Sequence, residues 1–360
     1  MKVADVSYRS VWRDGDSIGI VDQTRLPHEF VTRRLSTVEA VAHAITAMQV
    51  RGAPLIGAVA AYGLALALRN DSSDRGLSTG AELLMQSRPT AVNLRWSLTR
   101  MLEHVRPLDP ALRVDAAWDE AGRIADEDIQ LNQSIGRHGF ALIRDLAKDK
   151  SIVNVLTHCN AGWLATVDYG TALAPIYLAH DEGVPVHVWV DETRPRNQGM
   201  LTAWELASHG VPHTLITDNA GGHLMQHGKV DIVIVGADRV TSGGDVCNKI
   251  GTYLKALAAK ANSVPFYAAV PSPTIDWTIN DPLTEIPIEE RSADEILFVR
   301  GMSEDNRSTR VAIAIDGVTV ANPAFDVTPA ELVSGIITET GVVPATREGL
   351  APLAARASVQ

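Results

Sequence analysis

The chain has 360 residues, 46% hydrophobic and 21% charged, which is enough for two globular domains and too apolar for a disordered or fibrous protein. Its 43 acidic and 32 basic residues give a formal charge of -11, which argues against general nucleic-acid binding but still permits a locally cationic site. No apolar run approaches the ~18 residues of a membrane span, and the N-terminus lacks the apolar core of a signal peptide. With only two cysteines, Cys159 and Cys247, we expect a cytoplasmic protein without disulfides and without membrane or nucleic-acid partners.

The first part of the chain predicts a small β element followed by helices. Residues 8–31 alternate apolar and polar side chains around an Asp-Gly turn, which indicates a hairpin. Residues 36–39 fit a capping box ahead of a helical apolar spacing, and the Ala/Leu-rich residues 53–68 predict a buried helix. Further helical patterns cover residues 90–105 and 111–148.

From residue 151 onward, short β-branched runs alternate with helical stretches. The candidate strands are Ile152–Thr157, Val186–Val190, His213–Thr217, Asp231–Val235, Phe266–Val270 and Val311–Ile315. The candidate helices lie near 165–182, 199–209, 221–228 and 247–262. This alternation predicts right-handed βαβ units and a parallel sheet. We therefore predict an α/β protein with a helical N-terminal domain carrying a small β element (1–130), a Rossmann-like catalytic domain (131–345) and a loosely ordered tail (346–360).

Open parallel sheets bind ligands beyond the carboxyl ends of their strands, and a cysteine lies at such a place. Cys159 follows the first predicted strand and precedes a predicted helix, where a helix N-terminus and nearby cations would lower the pKa of its thiol. The alternative is a buried, inert cysteine. His158 could pair with it in a nucleophilic dyad, although adjacent residues often point to opposite faces.

A second candidate, Asp238, follows the apolar run at residues 232–235. Burial beside apolar walls would keep it protonated near neutral pH, as a general acid requires. It could instead cap a helix or pair with Arg239.

Two predicted loop-to-helix junctions carry a cation that would suit a phosphate. Asn248 and Lys249 are expected to open a helix after a glycine pair, and Arg51, Gly52 and Ala53 open another. Free backbone N–H groups, the helix dipole and the basic side chain would together bind an anion. Each could also be an ordinary junction, and the repetition is what favours a phosphate site.

Motif spacing gives no support for a cofactor or a metal. No G-x-G-x-x-G follows a strand, as a nicotinamide cofactor would require. The glycines at 222–228 before Lys229 differ from a P-loop in length and lack the final Ser or Thr. His223 and His227 stand four residues apart without an evident third ligand, and no zinc signature occurs.

Motifs along most of the chain resemble those of the methylthioribose-1-phosphate isomerases. They occur in the family's order, as Arg51–Pro54, Arg88–Leu94, Thr157–Gly162, Asp191–Pro195, Gln198–Gly199, Leu201–Leu206, Gly236–Arg239, Asn248–Tyr253, Ile288–Arg291 and Asn322–Pro329. The resemblance implies the same two-domain fold, usually a homodimer. It also implies conversion of 5-methylthioribose 1-phosphate to 5-methylthioribulose 1-phosphate in methionine salvage, with no cofactor.

Carried over by position, the resemblance implies that Cys159 and Asp238 are the catalytic pair. The implied substrate-binding residues are Arg51, Gly52, Ala53, Arg88, Gln198, Asn248 and Lys249. The C1 oxygen of such a substrate is esterified, so opening the sugar ring requires a proton on the ring oxygen, and Asp238 would supply it. Hydrogen then moves from C2 to C1, either as a proton through Cys159 or as a direct hydride shift.

Two other functions stay open on the sequence alone. One is isomerisation of another aldose 1-phosphate, such as 5-deoxyribose 1-phosphate or ribose 1,5-bisphosphate, which would need a different wall around C5. The other is a regulatory subunit, since relatives in translation initiation share the fold but usually lack the catalytic pair. Trp163, Cys247 and the segment 300–310 depart from the family pattern and could reshape the pocket.

Overall fold

A computed structural model describes residues 1–4 and 6–357, with side chains up to Ala354. The N-terminal strands are β1 (Lys2–Val3), β2 (Val6–Ser7), β3 (Val11–Asp14), β4 (Ser17–Val21) and β5 (Thr32–Leu35). Strand β1 pairs with β2, and β3, β4 and β5 form an antiparallel sheet in that order. The helices that follow are α1 (Val38–Thr46), α2 (Ala53–Asn70), α3 (Asp74–Ser87), α4 (Val92–Val105) and α5 (Arg113–Leu146). The hairpin and the predicted helices are confirmed, and α3 is an additional one.

The N-terminal core is built around α2. This helix has 18 residues and is apolar enough to cross a membrane by length and composition, contrary to the expectation that no apolar run is so long. However, 83% of it is buried, because α3, α4 and α5 pack around it. A helix that is apolar on every side is typical of a protein core, and α2 has that role here.

The C-terminal part alternates strands and helices. Its first elements are β6 (Val153–Thr157), α6 (Ala174–Asp181), β7 (Val186–Asp191), α7 (Gly199–His209), β8 (His213–Ile216), α8 (Ala220–Gln226), β9 (Ile232–Val235), β10 (Arg239–Thr241), β11 (Val246–Lys249) and α9 (Thr252–Ala261). The remaining ones are β12 (Phe266–Ala269), β13 (Ile275–Asp276), α10 (Pro282–Glu285), α11 (Asp294–Leu297), β14 (Phe298–Met302), β15 (Ser308–Ala312), β16 (Phe325–Thr328), β17 (Gly335–Thr338), β18 (Gly341–Val343) and α12 (Arg347–Ala357).

Seven of these strands form one sheet in the order β18-β17-β12-β9-β6-β7-β8. All neighbours are parallel except the edge strand β18, so the predicted Rossmann-like sheet is confirmed. The chain starts in the middle at β6, proceeds outward through β7 to β8, and returns to the other side of β6 as β9. The strand order therefore reverses between β6 and β9, and such a switch point opens a crevice at the carboxyl ends of the two strands.

A second, smaller sheet lies beyond the end of β9, in the order β13-β10-β11-β16. It corrects the helix predicted over 247–262: Asn248 and Lys249 belong to β11, and α9 begins only at Thr252. The physical reason is long-range pairing, because β11 lies antiparallel to β16 some way along the chain, with Asn248 opposite Asp326. The helix-dipole argument for these two residues is therefore wrong.

Three other predicted elements are also corrected. Of residues 165–182, only α6 is α-helical, because a short 3-10 turn at Trp163–Ala165 and a loop precede it. The candidate strand Val311–Ile315 does not join the parallel sheet, since β15 pairs with β14 in a separate hairpin, and β17 and β18 complete the sheet instead. The tail is ordered at least through α12, which buries Leu350 and Leu353 in the core; the last residues, 358–360, lie outside the described chain.

The long helix α5 runs through the domain boundary predicted at residues 130 and 131. Its first half packs on α2 and α4, and its second half packs on α6 and β17. The contact with α6 requires small residues: a Cβ added at Gly139 would lie 2.4 Å from Pro175 Cγ. The two predicted domains thus share one continuous helix.

Candidate active site

A single cavity lies at the switch point, beyond the carboxyl ends of β6 and β9. Every site residue predicted from the sequence lines it: Arg51, Gly52, Ala53, Arg88, Cys159, Gln198, Asp238, Asn248 and Lys249. Their sequence positions span almost 200 residues, and six separate segments of the chain bring them together. By contrast, Trp163, Cys247 and the segment 300–310 do not line this cavity.

Cys159 occupies the loop directly after β6 in a left-handed backbone conformation, with φ of 68°. Two threonines hold it there. Its N–H donates to Thr193 Oγ1 at 2.8 Å, and its carbonyl accepts from Thr202 Oγ1 at 2.8 Å. A non-glycine residue in this conformation costs free energy and is concentrated at functional sites, where surrounding contacts enforce it.

Burial raises the pKa of the Cys159 thiol, and the nearby cations Arg51 and Lys249 only partly offset this effect. Asp238 works in the same direction as burial. The sequence predicted a lowered pKa for this thiol from a helix N-terminus, but the next α-helix begins only at Ala174. Cys159 is therefore a neutral thiol near pH 7.

Asp238 follows β9 and is half-buried. Its N–H donates to the Cys247 carbonyl at 3.0 Å, whereas its carboxylate has no hydrogen-bond partner among the side chains and backbone groups that the structure describes. Arg239 does not pair with it, because that guanidinium binds Asp276 at 2.8 Å and the Thr90 carbonyl at 2.8 Å. The carboxyl of Asp238 is thus available to a ligand in the cavity.

Arg51 is a buried cation at the floor of the cavity. Its guanidinium donates to Oδ1 and to the carbonyl of Asn160, each at 2.6 Å. Burial lowers its pKa, and Cys159 and Asp238 oppose this shift. The residue that follows, Gly52, has φ of 99° and precedes the first turn of α2, and Gly52, Ala53 and Pro54 line the same cavity.

Lys249 provides a second cation from the end of β11. Its Nζ donates to the Ala324 carbonyl at 2.8 Å and lies 4.5 Å from the centre of the Phe325 ring. Burial lowers the pKa of Lys249, while Cys159 and Asp238 counteract the shift. Beside it, Asn248 donates to Thr252 Oγ1 at 3.1 Å.

The remaining two predicted residues keep free hydrogen-bonding capacity. Arg88 reaches the cavity from the loop between α3 and α4, and the one hydrogen bond that its side chain makes among the described residues, to Glu289, measures 3.5 Å. Gln198 is 6% exposed, and its Oε1 is buried without a hydrogen-bond partner among the described residues. A buried amide oxygen without a partner costs free energy unless a ligand or water satisfies it.

Sequence reasoning missed the buried carboxylate that organises this loop, Glu205 on α7. It accepts from Asn160 Nδ2 at 2.8 Å, from the N–H groups of Trp163 and Leu164 at 2.9 and 3.2 Å, and from the Tyr177 hydroxyl at 2.7 Å. Burial raises the pKa of Glu205, and these donors counteract the shift. The signal was present, because Glu205 is the one acid in the motif Leu201–Leu206.

His158 does not form the dyad with Cys159 that its position allowed. Its Nδ1 lies 2.9 Å from Asp191 Oδ2 and its Nε2 lies 2.9 Å from the Ile250 carbonyl, so both ring nitrogens are occupied. His158, Asp191 and Asp218 also approach one another closely enough to hold a metal ion. In this cluster, Lys255 Nζ lies 3.1 Å from Asp191 Oδ2 and supplies the positive charge that a metal ion would otherwise provide.

The fold and the site first define a class: an open α/β protein with a cavity lined by three basic side chains at the switch point of its sheet. Residues 49–345 match the Initiation factor 2 subunit family. Methylthioribose-1-phosphate isomerases from Rhodospirillum rubrum and Gluconobacter oxydans are each 61% identical to this chain over 98% of its length, and the matches cover 93% and 98% of their own lengths.

Two solved structures agree with these sequence matches. 5-methylthioribose 1-phosphate isomerase from Pyrococcus horikoshii OT3 has a TM-score of 0.83 at 41% identity, over 97% of this chain and 96% of that one. A protein from A. fulgidus described as translation initiation factor eIF-2B, subunit delta, has a TM-score of 0.79 at 40% identity, over 96% and 99%. The chain therefore belongs to the Initiation factor 2 subunit family and, within it, to the methylthioribose-1-phosphate isomerases.

Proposed function

We propose that this protein converts 5-methylthioribose 1-phosphate into 5-methylthioribulose 1-phosphate, an aldose–ketose isomerisation in methionine salvage. The observation that carries the proposal is the meeting of Cys159 and Asp238 with three cations at one cavity. Arg51, Arg88 and Lys249 match a dianionic phosphate, with which they would form charge-assisted hydrogen bonds.

The first step opens the sugar ring. The phosphate ester at C1 prevents the spontaneous opening that a free aldose undergoes, so the bond between C1 and the ring oxygen breaks only as that oxygen gains a proton. Asp238 donates this proton, since its carboxyl is free of other partners and stands at the end of β9. The adjacent cations stabilise the carboxylate that remains.

Hydrogen then moves from C2 to C1, and two routes balance. In the proton route, the Cys159 thiolate removes the C2 proton, an enol phosphate forms, and a proton is added at C1 as the C2 hydroxyl becomes a ketone. In the hydride route, hydrogen moves with its electron pair from C2 to C1 while the C2 hydroxyl loses its proton, and Cys159 positions the reacting carbons. Solvent deuterium at C1 of the product distinguishes the first route, provided that the abstracted proton exchanges.

The cavity lining supports a methylthio group at C5. Its apolar part includes Met48, Pro54, Ala165, Pro271 and Phe325. Transfer of a thioether from water to such an apolar wall is favourable in free energy. A second phosphate, as in ribose 1,5-bisphosphate, would need a second set of cations in addition to the three that bind the first.

A side-by-side assay tests the proposal. Purified protein is supplied with 5-methylthioribose 1-phosphate, 5-deoxyribose 1-phosphate or ribose 1,5-bisphosphate, and ketose formation is followed by NMR. We expect the highest kcat/KM for the methylthio sugar. Preference for another sugar would retain the chemistry and change the substrate, whereas no turnover by folded protein would overturn the proposal and favour a regulatory role.

We also propose that the protein is a cytoplasmic homodimer. Two free thiols, Cys159 and Cys247, support a reducing compartment, and family resemblance supports the dimer. Sedimentation of the purified protein tests the second point, with a mass of twice 38.7 kDa as the expected result.

A further inference from the structure

Glu289 stands beside the cavity and is not part of the machinery described above. It lies in the loop between α10 and α11, and its Oε2 is the oxygen that Arg88 Nη2 approaches at 3.5 Å. Its other oxygen, Oε1, accepts from Arg291 Nη1 at 2.8 Å. The Glu289 carboxylate thus forms a short hydrogen bond with Arg291 outside the cavity and a long one with Arg88 at the edge of the cavity.

Arg291 is itself held in place by other ion pairs. Arg291 also donates through Nη2 and Nε to Glu295, at 2.7 and 3.1 Å, and Glu295 binds Arg196 at 2.9 Å. Although burial works to raise the pKa of Glu289, the charges of Arg88 and Arg291 hold it below its ordinary value. Glu289 is therefore ionised near neutral pH, and Arg291 retains it if Arg88 leaves.

Of the three cations, Arg88 is the one least restrained by hydrogen bonds to the described chain. Arg51 already makes two hydrogen bonds of 2.6 Å to Asn160, and Lys249 makes one of 2.8 Å to the Ala324 carbonyl. A guanidinium carries five N–H donors, and within the described chain Arg88 uses one of them, at the outer limit of a hydrogen bond. The side chain is 13% exposed, so the unused donors point into a largely enclosed space.

The backbone beneath Arg88 is held in place, unlike its side chain. Arg239 donates to the Thr90 carbonyl at 2.8 Å, and the Ala91 N–H donates to the Arg88 carbonyl at 3.1 Å. Arg88 can therefore change partner by side-chain rotation alone, and the loop between α3 and α4 does not have to move.

We infer that Glu289 is a positioning residue that holds Arg88 as a provisional counter-ion and gives it up to the phosphate of the substrate. This inference rests on the proposed function, because it takes the anion in the cavity to be a phosphate ester. Glu289 keeps Arg88 directed at the cavity when no ligand is bound, and it competes with the phosphate for the same guanidinium. A bidentate contact of Arg88 with a dianion is stronger than its single long hydrogen bond to a carboxylate, so the exchange favours the phosphate-bound state.

The competition gives the inference its test, with inorganic phosphate as the probe. Glu289→Gln removes the competing charge and keeps an oxygen of similar shape. By ³¹P NMR titration at low ionic strength, we expect the Kd of phosphate to fall at least ~3-fold, in line with loss of a partly exposed ion pair. In the isomerase assay, we expect KM to fall similarly while kcat changes less than about 2-fold.

Matched variants separate this effect from others. Glu348→Gln removes one negative charge from the exposed start of α12 and should leave both constants unchanged, which controls for net charge. Far-UV circular dichroism verifies that Glu289→Gln is folded. A merely structural role for Glu289 predicts a higher KM together with a lower kcat, and either that result or an unchanged Kd would overturn the inference.

Arg88→Ala distinguishes failure of the inference from failure of the proposed function. If Arg88→Ala weakens phosphate binding and Glu289→Gln does not strengthen it, the exchange is wrong and the phosphate site stands. If Arg88→Ala leaves phosphate binding intact, Arg88 does not bind the phosphate and the exchange with Glu289 is wrong, whereas the proposed isomerisation fails only if folded wild-type protein does not turn over the sugar.

Discussion

At the scale of single residues, the cavity disfavours the thiolate form of Cys159, which is the form that could act as a base. Burial raises the pKa of this thiol, and a bound dianion would favour the neutral form further. A neutral thiol cannot accept a proton, so the electrostatics favour the hydride route, in which Cys159 positions the reacting carbons.

A neutral Cys159 thiol predicts a particular pH profile. Between about pH 7 and pH 9, kcat/KM should show no rise governed by Cys159, and product formed in D₂O should carry no deuterium at C1. Cys159→Ser is the control, because any limb that disappears in it belongs to the thiol. A tenfold rise per pH unit that vanishes in Cys159→Ser would establish the proton route instead.

Asp128 gives a second prediction at this scale, concerning stability. It lies on α5, where its carboxylate accepts the Val167 N–H at 2.7 Å, and burial raises its pKa to about 7. The folded protein therefore retains a proton that the unfolded chain releases above about pH 4, so the stability from this group is complete below that pH and is lost as pH rises through about 7.

Asp128→Asn keeps an acceptor for Val167 and removes the titration. Relative to wild type, its free energy of unfolding should increase by about 2–3 kcal/mol between pH 5 and pH 8, measured by urea denaturation. Asp126→Asn, an exposed change on the same helix, should show no such trend. Parallel stability curves for Asp128→Asn and wild type would contradict the assigned protonation.

At the scale of elements, local pattern predicted one half of the phosphate site correctly and the other half wrongly. Arg51 and Gly52 do stand before a helix, because the apolar run after them is long and Pro54 is suited to a first turn. Asn248 and Lys249 instead form a strand, because pairing with β16 determines their conformation. No local spacing reveals a partner so far along the chain, yet the chemistry of Lys249 could be carried over by resemblance.

The start of α2 gives a prediction for a glycine. At Gly52, φ is 99°, and an added Cβ would lie 2.4 Å from the Ala165 carbonyl oxygen. Gly52→Ala should therefore lower the free energy of unfolding by ~1–3 kcal/mol and raise KM, since the cavity floor must shift. Gly122→Ala on α5 is the control, because nothing lies within 4 Å of its Cβ, and it should stabilise the protein by ~0.5–1 kcal/mol.

At the scale of the whole molecule, the sequence predicted a helical N-terminal part and a Rossmann-like C-terminal part but not how the two are joined. Periodicity separates helical residues from alternating strands and helices, and it also predicts a helix over 111–148. It does not show that the two ends of α5 pack on different halves, since packing partners come from the rest of the chain.

This arrangement predicts cooperative unfolding. α5 spans about 50 Å and contributes to the packing of both halves, so neither half retains its core when the helix melts. Calorimetry should show one transition, coincident with loss of helix by circular dichroism. Two separate transitions would mean that the halves are independent domains despite the shared helix.

The proposed role of Asp238, as the acid of an isomerisation in the cavity between β6 and β9, depends on the residues, the elements and the whole fold together. The most direct measurement is kcat of Asp238→Asn with 5-methylthioribose 1-phosphate, followed by NMR on protein shown to be folded. We predict a loss of at least ~10²-fold, because the amide keeps the shape but has no proton to donate to the ring oxygen. A kcat near that of the wild type would contradict the account and place the chemistry elsewhere.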